Sequence, residues 1–213
     1  MEIKTVDSHL NLPKSYWKRL GKFYADNVWD VSVARATYKV QDLFLEYERE
    51  YAVKWLEITA YIEGKLVGCM RVLRNPDDRT KWFFGDVHTD AGFRRQGVAS
   101  AMYESAISAV RDFYAAECIE ASVSLHNTNS IGLHEKMGFV NTGRKPSFAN
   151  LGFEEDEIIF QLELLTECPM EDTPENRKLL NGYLESIGKK APDKIPQGAK
   201  LIFCGERVVG YKL

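Results

Sequence analysis

The segment from residue 93 to residue 99 has the composition of an anion-binding turn at the start of a helix. It follows an apolar run typical of a strand and precedes an amphipathic run typical of a helix. A chain that leaves a strand and at once begins a helix directs unpaired backbone N–H groups and the positive end of the helix dipole at one spot. Such a spot binds an anion, for example a pyrophosphate. The segment consists of Phe93, Arg94, Arg95, Gln96, Gly97, Val98 and Ala99.

The residue types in this turn suit that chemistry. Gly97 has no Cβ, so the backbone can approach a phosphate closely, and the small Ala99 leaves the first helical turn uncrowded. Arg94 and Arg95 add positive charge. The alternative interpretation is a solvated basic loop, because basic residues are common before helices.

A second polar segment lies about thirty residues further on, after another strand-like alternation at residues 119–125. Asn127 follows that strand and Ser130 opens the next helix; both can hydrogen-bond a ligand, or instead form an Asx turn and a helix-start hydroxyl. His134 lies within the helix. Its imidazole titrates near neutral pH and can therefore donate a proton, although packing within the helix is the alternative.

Together the two segments resemble the GNAT superfamily of N-acetyltransferases, over roughly residues 52–164. The pattern Arg94-x-x-Gly97-x-Ala99 is similar to the acyl-CoA pyrophosphate loop Q/R-x-x-G-x-G/A of that superfamily. The pattern Asn127-x-x-Ser130-x-x-Leu133-His134-Glu135-Lys136-x-Gly138-Phe139 is similar to its strand-loop-helix segment. Many members have tyrosine at the position of His134, whereas phosphinothricin-type acetyltransferases have histidine.

The resemblance implies which residues bind acetyl-CoA, the acyl donor of the superfamily. The strand before the first segment would splay from its parallel neighbour, and its backbone would hold the acetyl and pantetheine parts. Main-chain donors aimed at the thioester carbonyl would stabilise the oxyanion, and His134 would protonate the departing thiolate. The implied cofactor-binding residues are Val87, His88, Thr89, Arg94, Arg95, Gln96, Gly97, Val98, Ala99, Asn127 and Ser130.

Amine acetylation also needs a general base, because an alkyl ammonium must lose a proton before it attacks. A carboxylate can take that proton, often through a water molecule. Asp86 on the central strand is the first candidate and Glu57 on a neighbouring strand is the second, while simple solvation is the alternative for each. His88 and His126, near the strand ends, are further candidates.

Composition limits the other function classes. The net charge of −3 and the scattered basic residues argue against a nucleic-acid partner. No apolar run is long enough to span a bilayer, and the first four residues lack a signal-peptide core, so we expect a cytoplasmic protein without membrane contact. The four cysteines are far apart and lack metal-site spacing, which favours buried free thiols and no metal.

The predicted elements give a mixed α/β (α+β) fold with a mostly antiparallel sheet and helices on both faces. Two early helices, one from about Pro13 and one whose stripe runs from Val40 to Tyr51, either pack on the sheet or form a substrate lid. We predict an acetyltransferase domain over residues 1–165 and an extension over residues 166–213. In the extension a linker over 166–172 precedes a helix and a hairpin, which dock on the domain or on a second subunit of a homodimer.

The leading hypothesis is therefore an N-acetyltransferase that uses acetyl-CoA and a small-molecule primary amine. None of the cysteines has an adjacent histidine in a nucleophile-like setting, which favours direct attack in a ternary complex. The alternatives are acetylation of a peptide or protein amine, and an acyl-CoA-binding regulatory module without turnover.

Overall fold

The computed structural model describes residues 1–7, 12–49, 54–148, 151–204 and 207–212, without the side chains of residues 47–49 and 207. The strands are β1 Glu2–Val6, β2 Trp55–Ile62, β3 Lys65–Arg74, β4 Lys81–Thr89, β5 Cys118–Ser124, β6 Val140–Asn141, β7 Glu157–Glu163, β8 Leu165–Pro169, β9 Lys200–Cys204 and β10 Arg207–Lys212. The helices are α1 Lys14–Asn27, α2 Val33–Arg49, α3 Val98–Tyr114, α4 Thr128–Lys136 and α5 Pro174–Ser186, with a short 3-10 turn at Ala91–Phe93.

The main sheet has seven strands in the order β1-β2-β3-β4-β5-β7-β6. Strands β4 and β5 run parallel, and the other paired neighbours in the described chain run antiparallel. Only a crossover connection can join parallel neighbours, and helix α3 supplies it. The predicted mixed, mostly antiparallel sheet is therefore confirmed.

Alternating side chains along β4 divide the core into two layers. Trp82 and Phe84 pack with α3, in a cluster that also contains Met102 and Val110. Phe83, between them, belongs to the opposite cluster with the aromatic residues of α1 and α2. Because successive strand residues face opposite sides of a sheet, this arrangement buries both faces. The prediction of helices on both faces is confirmed.

The C-terminal residues form a second sheet of three strands in the order β10-β9-β8. The predicted linker over residues 166–172 is wrong for its first part, because Leu165–Pro169 pairs antiparallel with β9. Most side chains of this strand are exposed, so it lacks the apolar alternation that identifies strands in a sequence. The predicted helix start is correct: the Thr173 hydroxyl accepts a hydrogen bond from the Asn176 N–H at 3.2 Å.

The extension contacts the main domain through Cys204. Its buried thiol donates to the backbone carbonyl of Ala116 at 3.0 Å, next to the end of α3. Cys69 and Cys118 are also buried free thiols, whereas Cys168 is exposed. The division into two domains and a second subunit as a partner stay predictions. Gly205 and Glu206 at the hairpin turn, and Tyr51 at the end of the predicted stripe, lie outside the described residues.

No helix within the described ranges combines the length and apolarity needed to cross a membrane.

Helices α1 and α2 pack closely at Gly21. A Cβ added at Gly21 would lie 2.6 Å from Thr37 Cα and 2.7 Å from Thr37 N, both of them backbone atoms. We expect Gly21→Ala to force the helices apart and to lower the free energy of unfolding by about 1–3 kcal/mol, as overpacking does in other cores. Urea unfolding followed by circular dichroism measures this change.

Gly182→Ala is the matched control, because Gly182 lies within α5 and a Cβ there would meet nothing within 4 Å. This variant should be more stable than the wild type by about 0.5–1 kcal/mol, since alanine is the better helix former. An equal response of the two variants would contradict the close packing at Gly21.

Candidate functional site

A cleft opens where β4 and β5 separate. Their parallel pairing ends at Phe84 and Ala121, but β4 continues to Thr89 and β5 to Ser124. Within the described residues, the part of β4 beyond Phe84 does not pair with β5. The backbone groups of Val87, His88 and Thr89 therefore lie at the wall of the cleft, which these residues line. This is the splay that the resemblance implied.

A β-bulge at Asp86 bends β4 at this point. Gly85 pairs with Arg71 and His88 pairs with Cys69, so Asp86 and Val87 together lie opposite Met70. Asp86 has a φ of 48°, a left-handed conformation that is uncommon for any residue except glycine. Bulges increase the local twist and redirect side chains, and they are frequent beside active sites.

The turn after β4 presents the start of α3 to the cleft. Gly97 has a φ of 80° and is the N-cap residue of α3, so its conformation favours glycine. The Ala101 N–H donates to the Gly97 carbonyl at 3.0 Å, which leaves the N–H groups of residues 98–100 ahead of the first helical hydrogen bond. Open space surrounds Gly97, because a Cβ there would meet nothing within 4 Å.

The polar side chains of the turn differ in their positions. Arg94 and Arg95 are exposed and line the cleft, and Arg94 Nε donates to the Thr89 carbonyl at 3.4 Å. Gln96 instead donates to the Gly92 carbonyl at 3.2 Å and is not among the residues that line the cleft. The Val98 side chain is buried in the core. The two arginines and the helix start together form a site that suits a pyrophosphate.

Asn127 and Ser130 cap helix α4 at the opposite wall. The Asn127 side-chain oxygen accepts from the Ser130 N–H at 3.0 Å, so the amide oxygen has the structural role of an N-cap. Both residues also line the cleft. Capping therefore accounts for the side-chain oxygen of Asn127. Cofactor binding by Asn127 and Ser130 stays a prediction.

His134 is buried in this wall, with 3% of its surface exposed, and it lines the cleft together with Tyr103. Its Nδ1 lies 2.8 Å from the Ser130 carbonyl, which can only accept, so Nδ1 carries the hydrogen. Its Nε2 then accepts from the Tyr103 hydroxyl at 2.9 Å. Burial lowers the pKa of His134, which agrees with a neutral ring. The ring hydrogen of His134 thus points to Ser130, and its Nε2 lone pair is occupied by the Tyr103 hydroxyl.

A charged cluster lies beside the bulge on the α1 face. Arg71, buried in the sheet, contacts Asp86 at 2.6 Å and donates to the Tyr24 hydroxyl at 2.9 Å. The Asp86 side chain is 48% exposed, and both Arg71 and Asp86 line the cleft. The positive charge of Arg71 thus compensates the carboxylate that was the first candidate for the base.

One continuous cleft connects the helix start with this cluster. Its volume is about 1250 Å³, which exceeds the roughly 300–1,000 Å³ of ordinary single-ligand pockets. Apolar side chains line its far end: Leu73, Phe83, Leu151 and Phe153. The described part of the chain contains no group of three or more His, Cys, Asp or Glu residues able to hold a metal.

A family comparison agrees with this geometry. The profile of the Acetyltransferase (GNAT) family matches residues 20–139, which is more than half of the chain. The chain belongs to the GNAT family of acetyltransferases. It is accordingly an N-acetyltransferase, and enzymes of this family use acetyl-CoA. No curated protein matches the sequence.

Solved N-acetyltransferase structures share the fold at low sequence identity. The ribosomal-protein-alanine N-acetyltransferase of Brucella melitensis is 19% identical with a TM-score of 0.55, over 77% of this chain and 100% of that one. The ribosomal-protein-S18-alanine N-acetyltransferase of Escherichia coli is 16% identical with a TM-score of 0.52, over 76% and 94%. The spermidine N-acetyltransferase of Vibrio cholerae, in complex with CoA and spermine, is 13% identical with a TM-score of 0.52, over 76% and 95%.

The other candidate bases of this GNAT domain occupy different environments. Glu57 is fully buried directly opposite Arg71 in the β2–β3 register, and it is not among the residues that line the cleft. His126 is exposed and also lies outside the lining. Sequence reasoning did not identify Arg71, Tyr103 or Tyr24, since each lies in an apolar run where packing is the usual role.

The buried Glu57 makes the stability of this acetyltransferase depend on pH. Burial raises its pKa from the ordinary 4.5 to about 8, although the nearby Arg71 opposes the shift. The folded state therefore binds a proton that the unfolded state has released. Stability from this group is present below pH 4.5 and is lost as the pH rises towards 8.

We expect Glu57→Gln to remove this dependence. Between about pH 5 and pH 8, the free energy of unfolding of the variant should rise relative to the wild type by about 2–4 kcal/mol. Chemical denaturation over a pH series measures the difference. Glu104→Gln, which removes an exposed carboxylate on α3, is the control and should show no such trend. Parallel pH curves for the wild type and Glu57→Gln would contradict a protonated Glu57.

Proposed function

We propose that the chain transfers the acetyl group of acetyl-CoA to the primary amine of a small molecule, by direct attack in a ternary complex. The continuity of the cleft carries this proposal. A single space runs from the start of α3, where a pyrophosphate fits, to the Asp86–Arg71 cluster. Its volume accommodates a donor and an acceptor together, as direct transfer requires.

The donor half of the cleft, between the start of α3 and residues 87–89, has the groups that would bind acetyl-CoA. Acetyl-CoA supplies an activated thioester when bound. The N–H groups at the start of α3, with Arg94 and Arg95, would hold its pyrophosphate. Main-chain groups of Val87, His88 and Thr89 would hold the pantetheine and orient the carbonyl, with Asn127 and Ser130 at the opposite wall. Main-chain donors in this position stabilise an oxyanion.

The acceptor half of the cleft, around the Asp86–Arg71 cluster, favours a monoamine with an apolar body. Leu151 and Phe153, both partly exposed, supply apolar surface to the cleft, and the Phe153 ring lies against the buried Phe83. Among the described residues, the carboxylates that line the cleft are Asp86 and Glu157, and Asp86 is already compensated by Arg71. A polyamine would bring more positive charges than these two carboxylates can pair with, and each unpaired buried charge is costly.

Proton transfers complete the proposed reaction. Asp86 or another group of the cluster takes the proton of the amine. His134 returns a proton to the thiolate through Tyr103 after its Nε2 has taken one up from solvent, because the hydrogen on Nδ1 is held by the Ser130 carbonyl. No cysteine is found among the described residues that line the cleft, which supports direct transfer over an acetyl-enzyme. A cytoplasmic location stays a prediction.

Gly97→Glu tests the donor half of this proposal. The added side chain places bulk and negative charge at the proposed pyrophosphate site, so acetyl-CoA should bind at least about tenfold more weakly, a loss of about 1.4 kcal/mol. Isothermal titration calorimetry measures the dissociation constant, which we expect in the micromolar range for the wild type.

Gly188→Glu is the matched control for this change. Gly188 also has a positive φ, of 69°, and open space for a Cβ, but it lies after α5 and away from the cleft. It should suffer the same backbone strain without losing acetyl-CoA affinity. Equal affinities for wild type and Gly97→Glu would refute the assigned pyrophosphate site.

An amine panel tests the acceptor half. Phenethylamine, spermidine and a peptide with N-terminal alanine represent an apolar monoamine, a polyamine and a protein amine. We expect thiol release from acetyl-CoA to be fastest with phenethylamine, because its ring fits the apolar end of the cleft. Fastest release with the peptide would establish the protein-amine alternative. Acetyl-CoA binding without release over the whole panel would favour a non-catalytic module.

A further inference from the structure

The bulge in β4 brings the side chain of His88 into the acceptor half of the cleft. We propose that the imidazole of His88 is the general base that takes the proton from the acceptor amine. This inference rests on the proposed acetyl transfer and identifies the base of that reaction. Asp86, in its ion pair with Arg71, is then a positioning neighbour and not the base.

The bulge determines which face of the sheet His88 occupies. In regular alternation with Phe83 and Gly85, residue 88 would face the α3 side. The extra residue at the bulge reverses this order, so that His88 pairs with Cys69 and faces the α1 side. Val87 packs against the α3 core instead. The His88 side chain therefore lies in the acceptor half, while its backbone lies at the donor wall.

Aromatic packing holds the ring in place. The His88 ring lies edge-on to the ring of Tyr24, with centroids 5.7 Å apart and planes at 74°. Tyr24 is itself fixed by stacking on Trp29 and by the hydrogen bond from Arg71. His88 is half-buried and lines the cleft. A base must be positioned in this way so that its lone pair points repeatedly at the same substrate atom.

His88 also has ring nitrogens that are available to a substrate. Neither nitrogen hydrogen-bonds to any residue in the described ranges. The other candidates are occupied or out of reach: both nitrogens of His134 are engaged, Asp86 is ion-paired, and Glu57 is enclosed in the sheet. Of these four side chains, His88 combines a place in the cleft with a free lone pair.

The surroundings of His88 favour the neutral ring that a base requires. Burial lowers its pKa, and the charge of Arg71 acts in the same direction, whereas Asp86 opposes both. Tyr24 from α1 and Cys69 from β3 also face this region, and burial raises the pKa of each, so both stay uncharged. The lowered pKa favours the neutral imidazole, which has the lone pair that a base needs, although it also makes the ring a weaker base.

The step balances without a further reactant. The imidazole accepts one proton from the ammonium, directly or through a water molecule. The freed nitrogen lone pair forms the N–C bond to the acetyl carbonyl carbon, the tetrahedral adduct collapses, and the C–S bond breaks. The nitrogen loses its second proton to solvent, and the thiolate takes a proton by way of Tyr103 or from solvent. His88 then releases its proton to solvent.

Two nucleophiles separate a base from a binding residue. Phenethylamine is an ammonium ion at neutral pH and needs a base, whereas hydroxylamine is largely uncharged there and does not. We expect His88→Gln to lower kcat with phenethylamine by about 100-fold or more, but to change the hydroxylamine rate by less than about threefold. It should also remove the acidic limb of the kcat/KM profile for phenethylamine. His126→Gln, at an exposed histidine outside the cleft, is the control.

The outcomes distinguish this inference from the proposed function. Equal losses with both nucleophiles would mean that His88 only binds or packs, and an amine-specific loss in Asp86→Asn but not in His88→Gln would make Asp86 the base. Either result overturns the inference while the transfer reaction stands. Failure of the wild type to release CoA with either nucleophile would overturn the proposed function itself.

A measurement without turnover checks the protonation state. The His88 ring proton resonance, assigned by its loss in His88→Gln, should titrate below the ordinary range of histidine in the acetyl-CoA complex. A ring that is still protonated at pH 7 would contradict a base role.

Discussion

The early end of pairing between β4 and β5 is the constraint on which the site depends. Phe84 and Ala121 form the last pair, and beyond them the two strands carry backbone groups that the sheet does not use. Unpaired backbone groups are tolerated where they meet solvent or a ligand. The same separation brings the start of α3 to one end of the opening and the Asp86–Arg71 cluster to the other. Further pairing would close the cleft.

Local features of the site could be predicted from the sequence. The turn at residues 93–99 depends on one short segment, since Gly97 supplies the positive φ and the adjacent helix supplies the N–H groups. Its use as a pyrophosphate site stays a prediction. The Thr173 cap of α5 is local in the same sense. Strand β8 was missed because its pairing with β9 rests on the backbone, while its mostly exposed side chains resemble a loop. Patterns of side chains cannot reveal such a strand.

Features that depend on distant contacts could not be predicted. The environment of His134 is set by Tyr103, which is 31 residues earlier and on another helix. The burial of Glu57 follows from the packing of two helices over β2 and from the position of Arg71 opposite it. In both cases the titratable residue is visible in the sequence but its protonation state is not, because burial and charged neighbours determine the pKa.

The bulge at Asp86 shows why the acceptor half was the hardest part to predict. A period of two residues assigns every strand position to a face, and one inserted residue reverses all assignments that follow. Regular alternation would place His88 against the α3 core, where a half-buried histidine would have only a packing role. The observed register places it beside Tyr24 and Arg71 instead. A single left-handed residue thus decides whether β4 offers the acceptor only its backbone or also a titratable side chain.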